Sequence, residues 1–267
     1  MRRWPPTKDE LYKLYWEQGL STYAIGEMYG VSYEAVRYWL KKYGIPRRPK
    51  PQVVEPKLSP SPELAYVLGV IYGDGTVAKS RYVNKRLNKR GYKYVVRLAV
   101  IDKQFAEEFM RALEKLGLRP KLYYVVRYPS EKMFGDPAKA KPRWVVHAES
   151  KKFYEFVKSL TIEKLEELVR DYEQWFVKGF YESEGCVDIS PKEYRIRIVN
   201  TNRKLMELLF KMLHRLGFRA TLYQQFYEYN GEKRPIYVVQ IYGNDQAKRF
   251  FELIKPCIKN PFVRNTS

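Results

Sequence analysis

The sequence predicts an α+β protein in which a duplicated αββαββα unit follows a small all-α N-terminal domain. Three observations carry this prediction. Part of the chain repeats itself at an offset of 100 residues, from 113–125 to 213–225. Segments with alternating polar and apolar residues occur in both halves of the repeat. Before residue 46, three short helical patterns each follow a helix-capping residue.

The N-terminal region, residues 1–46, is predicted to contain three short helices within 7–44, started by hydroxyl-bearing N-caps and ended by glycines. Two helices joined by a tight turn containing Gly30 match the helix-turn-helix pattern. The second helix of such a pair enters the major groove of DNA. We therefore expect DNA contacts from its exposed side chains, Tyr33, Arg37, Tyr38 and Lys41. A helical pair that only packs on the main domain is the alternative.

Residues 47–60 form a predicted linker that is rich in proline and carries basic side chains. Proline excludes a regular helix or a central strand, so the segment is expected to be a semi-rigid spacer. Arg47 and Arg48 are expected to follow a DNA backbone or to enter a minor groove. A spacer that is simply solvated fits the composition equally well.

The remaining chain is predicted to form two repeats, 61–170 and 171–267. LEKLGLRPKLYYV in the first repeat matches LHRLGFRATLYQQ in the second. Each half then consists of a helix, a strand pair, a helix, a second strand pair and a final helix. The predicted strands are 76–85, 92–100, 120–128 and 142–149 in the first half, and 186–190, 194–200, 219–229 and 235–242 in the second.

Alternation within the strands predicts sheets with one apolar face against helices and one basic face. In YRIRIVN, for example, Ile196 and Ile198 fall on one face and the arginines on the other. The recurrence of basic residues in both halves favours a surface that contacts nucleic acid, although a solvated outer face is the alternative. The expected DNA-binding residues are Lys79, Arg81, Lys93, Arg97, Arg195 and Arg197.

Composition agrees with a nucleic-acid partner, since 50 basic and 30 acidic residues give a net charge of +20. Only two Cys and two His are present, which excludes a disulfide framework, a zinc ribbon and a His-rich nuclease centre. No apolar run reaches the ~20 residues of a membrane span, and no secretory signal is apparent. We expect a cytoplasmic, nucleoid-associated protein, and the abundance of Tyr, Lys, Arg and Glu hints at a thermophile.

Each repeat opens with an unusual helix, and the two helices align over VLGVIYGDG (67–75) and VKGFYESEG (177–185). Glycine inside a helix costs about 1 kcal/mol relative to alanine, so Gly69 and Gly179 indicate two helices in close contact. Gly75 and Gly185 are expected to be left-handed C-caps. Asp74 aligns with Glu184, and Gly73 aligns with Ser183.

Asp74 and Glu184 are thereby predicted to lie together at two helix C-termini, where the helix dipole disfavours an anion. A divalent cation would relieve this penalty and the repulsion between the carboxylates. Oxygen ligands without His or Cys point to Mg²⁺ or Mn²⁺. A carboxylate pair beside a basic sheet suggests metal-assisted phosphodiester hydrolysis. The alternative is that both acids are merely polar residues at helix ends.

The two helices, together with the repeat, resemble the signature of the LAGLIDADG homing endonucleases in their single-chain, two-motif form, over residues 60–256. The resemblance implies a monomer with pseudo-twofold symmetry and saddle-shaped sheets over double-stranded DNA. It also implies that Asp74 and Glu184 bind metal, helped by backbone oxygens of Gly73 and Ser183. The expected product is a staggered double-strand break.

The sequence departs from that family at several positions. Glu182 adds an acid next to Glu184. By position in the hairpins after the motifs, Asp102 and Asn200 are expected at the polar pocket of the active site. The nearest basic candidates are Lys103, Lys192 and Lys79.

Three functions remain open at this point. The first is a site-specific endonuclease of intron homing, with the helix-turn-helix extending the recognised DNA. The second is a catalytically silent maturase that binds intron RNA, or a DNA-binding regulator with the same fold. The third, a general nucleic-acid chaperone, fits the composition but not the repeat. Retention of both carboxylates favours the first.

Overall fold

The computed structural model describes residues 4–48, 55–84, 89–126, 141–190, 193–229 and 231–262. The chain divides into two compact units, Met1–Val53 and Val54–Ser267. Within the described ranges, none of the helices combines the length and the apolar composition needed to cross a membrane. Lys192, one of the predicted basic candidates, lies outside these ranges.

Within residues 4–48, the N-terminal unit forms three helices, as the capping pattern predicts. They are α1 (Lys8–Tyr12), which continues as a π-helical turn over Lys13–Glu17, then α2 (Thr22–Tyr29) and α3 (Tyr33–Lys42). The side chains of Thr7, Ser21 and Ser32 each accept a hydrogen bond from the backbone three residues on. Such a cap satisfies an otherwise unpaired amide of the first turn. The unit has its own core, formed by Leu11, Leu14, Tyr15, Ile25, Tyr29, Val36, Leu40 and Ile45.

Helices α2 and α3 approach closely at the turn between them. A Cβ atom at Gly26 would lie 2.6 Å from the carbonyl oxygen of Val31, so only glycine fits there. Gly30 has a φ of 68°, the left-handed conformation that ends a helix. The glycine spacing of the sequence therefore specifies both the turn and the contact between the helices.

Arg48 holds this unit together instead of projecting from a linker. Its guanidinium donates hydrogen bonds of 2.7 Å to the carbonyl oxygens of Gly19 and Leu20. It also lies 4.4 Å from the ring centroid of Tyr15. This structural role replaces the DNA contact expected for Arg48, because its donors are directed at the turn after the first helix. Arg47 is exposed.

The other end of the predicted linker is attached to the larger unit. Glu55 forms an ion pair with Lys152. The amide of Lys57 donates to the carbonyl oxygen of Leu116 at 2.9 Å. Leu58 packs against the core of the larger unit. Residues at both ends of the 47–60 segment thus belong to the folded units themselves.

The larger unit contains the two repeats as predicted. The first consists of α4 (Pro62–Tyr72), β1 (Thr76–Asn84), β2 (Lys89–Val100), α5 (Lys103–Lys115), β3 (Lys121–Val125), β4 (Arg143–Glu149) and α6 (Lys151–Ser159). A connecting helix, α7 (Ile162–Val169), and a 3₁₀ turn at Arg170–Tyr172 lead to the second repeat. It consists of α8 (Glu173–Glu184), β5 (Gly185–Ile189), β6 (Tyr194–Asn200), α9 (Arg203–Arg215), β7 (Ala220–Tyr229), β8 (Glu232–Tyr242) and α10 (Asn244–Ile254).

Each repeat builds one four-stranded sheet, with strand orders β1-β2-β4-β3 and β5-β6-β8-β7. All the pairings are antiparallel. The α+β class and the two αββαββα halves are therefore confirmed. The connecting helix α7 is an addition that the repeat did not indicate, because no helix follows α10 in the described residues of the second half.

Helices α4 and α8 lie side by side in the centre of the core. Residues 64–70 of α4 and 176–182 of α8 are buried without interruption. A helix that is buried on every side explains why the hydrophobic pattern of α4 shows no polar face. The C-terminal ends of the two helices reach the same region of the unit.

The prediction of left-handed caps at Gly75 and Gly185 is wrong. Gly185 is extended, with φ −83° and ψ 155°, and Gly75 is not among the residues with positive φ. Both positions instead lack room for a side chain. A Cβ atom at Gly75 would lie 2.8 Å from Cα of Ile71, and one at Gly185 would overlap the ring of Tyr181.

Candidate active site

The site lies where α4 and α8 end. Asp74 is two residues beyond the end of α4, and Glu184 is the last residue of α8. A Cβ atom at Gly73 would lie 2.8 Å from Oγ of Ser183 and 3.2 Å from Cγ of Glu184. The two motif ends are thus in direct contact, and the repeat brings the two predicted acids to one place. Asp74 is exposed, whereas Glu184 is half-buried.

Asp74 acts electrostatically on Glu184. Although Asp74 is exposed at the surface, the protein around both carboxyls displaces part of their hydration and raises the pKa of each, and the charge of Asp74 raises the pKa of Glu184 further. The positive charge of Lys259 opposes this rise at both carboxyls, and Arg143 does so at Asp74. A carboxylate whose pKa is raised by burial and by a neighbouring anion marks a place where a cation is favourable.

The donors suit a hard divalent cation. In the described part of the chain, no cluster of three or more His, Cys, Asp or Glu is placed to hold a metal ion. The site instead offers two carboxylates next to the backbone of Gly73 and Ser183. Mg²⁺ binds through one or two carboxylates and keeps several waters, so this donor set fits it. Ser183 and Glu184 approach Gly73 so closely that no side chain fits at position 73.

Asn200 reaches this site as predicted. Its Nδ2 donates a hydrogen bond of 2.9 Å to Oε1 of Glu184. Its Oδ1 accepts a hydrogen bond of 2.9 Å from the amide of Asn202, which fixes the orientation of the amide group. The hydrogen bond from Nδ2 of Asn200 lowers the pKa of Glu184 and so opposes the effect of burial. Asn200 therefore orients one of the two acids.

Asp102 and Lys103 have other roles, so their placement in the pocket is wrong. Oδ1 of Asp102 accepts a hydrogen bond of 3.0 Å from the amide of Phe105, which makes Asp102 the N-cap of α5. Lys103 lies in the first turn of that helix and forms an ion pair of 3.3 Å with Glu107. The repeat offset pairs Asp102 with Asn202, which caps α9, and not with Asn200.

Glu182 is a buried structural residue. It is 1% exposed, and its carboxylate accepts hydrogen bonds of 2.7 Å from the Tyr66 hydroxyl and from the Cys257 amide. Burial raises its pKa, which these bonds oppose. Both of its oxygens are engaged away from Asp74 and Glu184. The additional acid of the second motif therefore links α8 to α4 and to the segment after α10.

Two basic residues at the site escaped the sequence analysis. Nζ of Lys259 donates hydrogen bonds of 2.7 and 2.9 Å to the carbonyl oxygens of Glu182 and Ser183. Arg143, the first residue of β4, is close enough to lower the pKa of Asp74. Neither lies in a motif helix or in the hairpin after it. Their proximity arises from packing, for which the sequence gives no periodic signal.

The basic residues of the sheets divide between the two faces. Arg97 pairs with His147, and Arg197 pairs with Gln240, on the faces opposite the helices. Lys93 lies an even number of residues from Arg97 on β2, as Arg195 does from Arg197 on β6. Lys93 and Arg195 therefore also lie on the sheet faces opposite the helices, which we call the open faces. These four positions are where the alternation places them.

Lys79 and Arg81 lie on the other face of the first sheet. They stand opposite Tyr94 and Tyr92 and share the alternation of Val77, which is buried against the helices. Nζ of Lys79 lies 4.1 Å from the ring centroid of Tyr92. Grouping Lys79 and Arg81 with Lys93 is therefore wrong, because one residue of offset reverses the face of a strand.

In the N-terminal unit, α3 presents Arg37, Tyr38 and Lys41 as exposed side chains. Tyr33 is partly covered, since its ring stacks on Tyr23 with centroids 4.3 Å apart. Its hydroxyl is hydrogen-bonded to Glu34, which raises the pKa of Tyr33 to about 12. The exposed basic side chains of α3 are therefore Arg37, Lys41 and Lys42.

Two αββαββα repeats with an acid at the end of each central helix define a protein of the LAGLIDADG type. The chain belongs to the family described as LAGLIDADG-like domain, whose model matches residues 61–160 and 171–255. Both motif helices and both predicted acids lie within the matched ranges.

Among its relatives is the uncharacterized protein MJ0314 of Methanocaldococcus jannaschii, which is 36% identical over 173 residues. The match covers 62% of this chain and 59% of that relative. The homing endonuclease I-DmoI of Desulfurococcus mucosus is 26% identical over 187 residues, covering 69% of this chain and 83% of I-DmoI. A doubly substituted I-DmoI, solved with nicked target DNA in the presence of Mn, is similar with a TM-score of 0.50. That structure is 25% identical, covering 73% of this chain and 97% of its own.

Proposed function

We propose that this protein is a site-specific homing endonuclease, which makes a divalent-metal-dependent, staggered double-strand break in DNA. The observation that carries the proposal is the contact between the two motif ends, Gly73 against Ser183, which brings Asp74 and Glu184 together. A protein that only binds DNA gains nothing from two adjacent carboxylates at helix C-termini, because their repulsion costs stability.

In this proposal Asp74 and Glu184 hold Mg²⁺ or Mn²⁺, with help from the carbonyl oxygens of Gly73 and Ser183. Such an ion, when bound, lowers the pKa of an attacking water and stabilises the leaving oxygen. Asn200 keeps the Glu184 carboxylate in one orientation. Each acid serves the cleavage of one strand. The similarity to I-DmoI supports this assignment.

The DNA lies against the open faces of the sheets, where Lys93, Arg97, Arg195 and Arg197 meet the phosphates. Both side chains of the Lys93–Glu149 pair of 2.8 Å are exposed, so phosphate can compete with Glu149 for Lys93. The N-terminal unit extends the recognised sequence through Arg37, Tyr38 and Lys41 of α3, with Arg47 beside it. The protein acts as a monomer, because both acids come from one chain.

The proposal is tested by incubating the protein and Mg²⁺ with a pooled genomic or random duplex library and sequencing the new ends. We expect discrete staggered ends that vanish with EDTA. In Asp74→Asn and Glu184→Gln we expect no double-strand breaks but unchanged DNA retention, since a neutral amide keeps the shape and removes the metal ligand.

Retention of specific DNA or RNA without breaks, across several metals and temperatures, would overturn the endonuclease proposal. It would favour the maturase or the regulator with the same fold. Loss of DNA binding in both variants would instead count against the assignment of Asp74 and Glu184 to the metal.

A further inference from the structure

The segment after α10 forms hydrogen bonds with three successive residues near the end of α8, Tyr181, Glu182 and Ser183. The amide of Cys257 donates to Oε1 of Glu182 at 2.7 Å. The hydroxyl of Tyr181 donates to the carbonyl oxygen of Lys259 at 3.0 Å. Nζ of Lys259 then donates to the carbonyl oxygens of Glu182 and Ser183. The segment thus delivers one ammonium group to the place where α8 ends.

The backbone of Lys259 supports a defined position for this side chain. Its φ is 57°, a left-handed conformation that is unusual for a residue other than glycine. Such a conformation is strained for a residue with a side chain and persists where the surroundings fix it. Here the surroundings are the hydrogen bond from Tyr181 and the two carbonyl oxygens that receive the ammonium group.

The ammonium group faces negative charge from both repeats. Burial lowers the pKa of Lys259, and the negative charges of Asp74, Glu184 and Glu182 oppose that decrease. The last carbonyls of α8 also carry the negative end of the helix dipole, which a cation stabilises. Arg143 is the other cation that acts on Asp74. Lys259 thus acts electrostatically on both Asp74 and Glu184 and also donates to the Ser183 carbonyl oxygen.

We propose that Lys259 is a positioning residue of the acid pair. It acts as a counter-ion to Asp74 and Glu184, held in place by the segment after α10, and its positive charge repels a divalent cation that binds there. This inference rests on the proposed metal site. Before the metal binds, Lys259 balances the charge of Asp74 and Glu184 and holds the Ser183 carbonyl. A divalent ion held by Asp74 and Glu184 would be repelled by the Lys259 ammonium group, which already donates to the Ser183 carbonyl oxygen.

Loss of the Lys259 charge should raise metal affinity and lower the stability of the metal-free protein. Removing the ammonium group makes the site more negative, so a divalent ion binds more tightly. It also leaves the two carboxylates without their counter-ion, so the metal-free protein becomes less stable, and the bound metal restores much of that loss. A lysine that only packs the C-terminal segment would lower stability equally with and without metal.

The experiment titrates Mn²⁺ into the full chain, without DNA, by calorimetry, and records thermal unfolding with and without saturating Mn²⁺. The proteins are wild type, Lys259→Met, Lys259→Arg and Asp74→Asn. We expect Lys259→Met to bind Mn²⁺ about tenfold more tightly, from the loss of one nearby positive charge. Its melting temperature should fall without metal and return towards wild type with Mn²⁺. Lys259→Arg keeps the charge and should resemble wild type in both measurements.

Equal Mn²⁺ affinity of wild type and Lys259→Met, with the same loss of melting temperature in both conditions, would overturn the proposal and leave the metal site intact. Mn²⁺ binding that is absent in wild type, or unaffected by Asp74→Asn, would overturn the metal site and this inference with it. If Lys259→Met does not fold, Lys259→Gln carries the same test, since its amide still donates to a carbonyl oxygen but lacks the charge.

Discussion

Gly69 of α4 and Gly179 of α8 make the same contact in opposite directions. A Cβ atom at Gly69 would overlap the carbonyl oxygen of Phe176, and one at Gly179 would overlap the carbonyl oxygen of Tyr66. Each helix therefore presses its glycine against the backbone of the other. Because the motif ends lie one turn further along, this contact determines how closely the two acids approach.

Alanine at either glycine should destabilise the protein. In an ordinary helix, Gly→Ala gains about 1 kcal/mol. Here the added methyl group forces the helices apart, and overpacking of a core costs about 1–3 kcal/mol. We expect Gly69→Ala and Gly179→Ala each to lower the free energy of unfolding by about 2 kcal/mol in urea titrations.

Gly91→Ala is the matched control for these two variants. A Cβ atom at Gly91 meets the ring of Tyr82, an exposed side chain that can move aside. We expect a change within about 0.5 kcal/mol, as for most surface substitutions. A stability gain in Gly69→Ala would show that the helix contact is looser than the structure indicates.

Asn200→Ala should slow cleavage without weakening DNA binding. The variant removes the hydrogen bond that orients Glu184. Loss of a group that orients a metal ligand typically costs 10–100-fold in metal affinity or activity, and we expect about that loss here. The measurement is the single-turnover rate at saturating Mg²⁺, with DNA affinity in Ca²⁺ determined separately. Asn202→Asp keeps a good N-cap for α9 and should cleave normally. An unchanged rate in Asn200→Ala would separate Asn200 from the site.

Lys93 and Lys79 test which face of the first sheet meets DNA. They lie in the same hairpin but on opposite faces. Each phosphate contact contributes about −0.9 to the slope of log K against log salt. Lys93→Gln should reduce the steepness of that slope by about one unit, whereas Lys79→Gln should leave it unchanged. The slope comes from binding isotherms at several salt concentrations, and the reverse result would place the DNA on the helical side.

Arg47 and Arg48 are neighbours with different expected roles. Arg48→Ala removes two hydrogen bonds to carbonyl oxygens and the contact with Tyr15. Hydrogen bonds from a charged donor contribute about 1.5–3 kcal/mol, so the N-terminal unit should lose much of its stability. Hydrogen exchange of residues 4–48 within the full chain measures this loss. Arg47→Ala should leave hydrogen exchange unchanged and weaken DNA binding. If Arg48→Ala instead weakened DNA binding without changing exchange, Arg48 would be a DNA contact, as the sequence predicted.

The local features of the fold could be predicted from the sequence because their signals repeat along the chain. Alternation placed Ile196 and Ile198 on the buried face of β6, and serine and threonine marked the helix starts. The internal repeat added a long-range inference, since it aligned Asp74 with Glu184 without any knowledge of their distance. The errors arose where one residue decides the outcome, as with the face that Lys79 occupies.

The sequence by itself determined the class of fold, the two repeats and the pair of acids, because periodic patterning and duplication are written in the order of the residues. Only the tertiary structure decided what surrounds those acids. Lys259 lies 75 residues after Glu184 and contacts backbone carbonyl oxygens, which every residue carries and no side-chain pattern marks. In the sequence Glu182 is only an additional acid near Glu184. In the structure the Tyr66 hydroxyl and the Cys257 amide donate to its two oxygens, which makes Glu182 a structural residue. Packing determines such contacts, because they join segments that are distant in the chain and share no repeat.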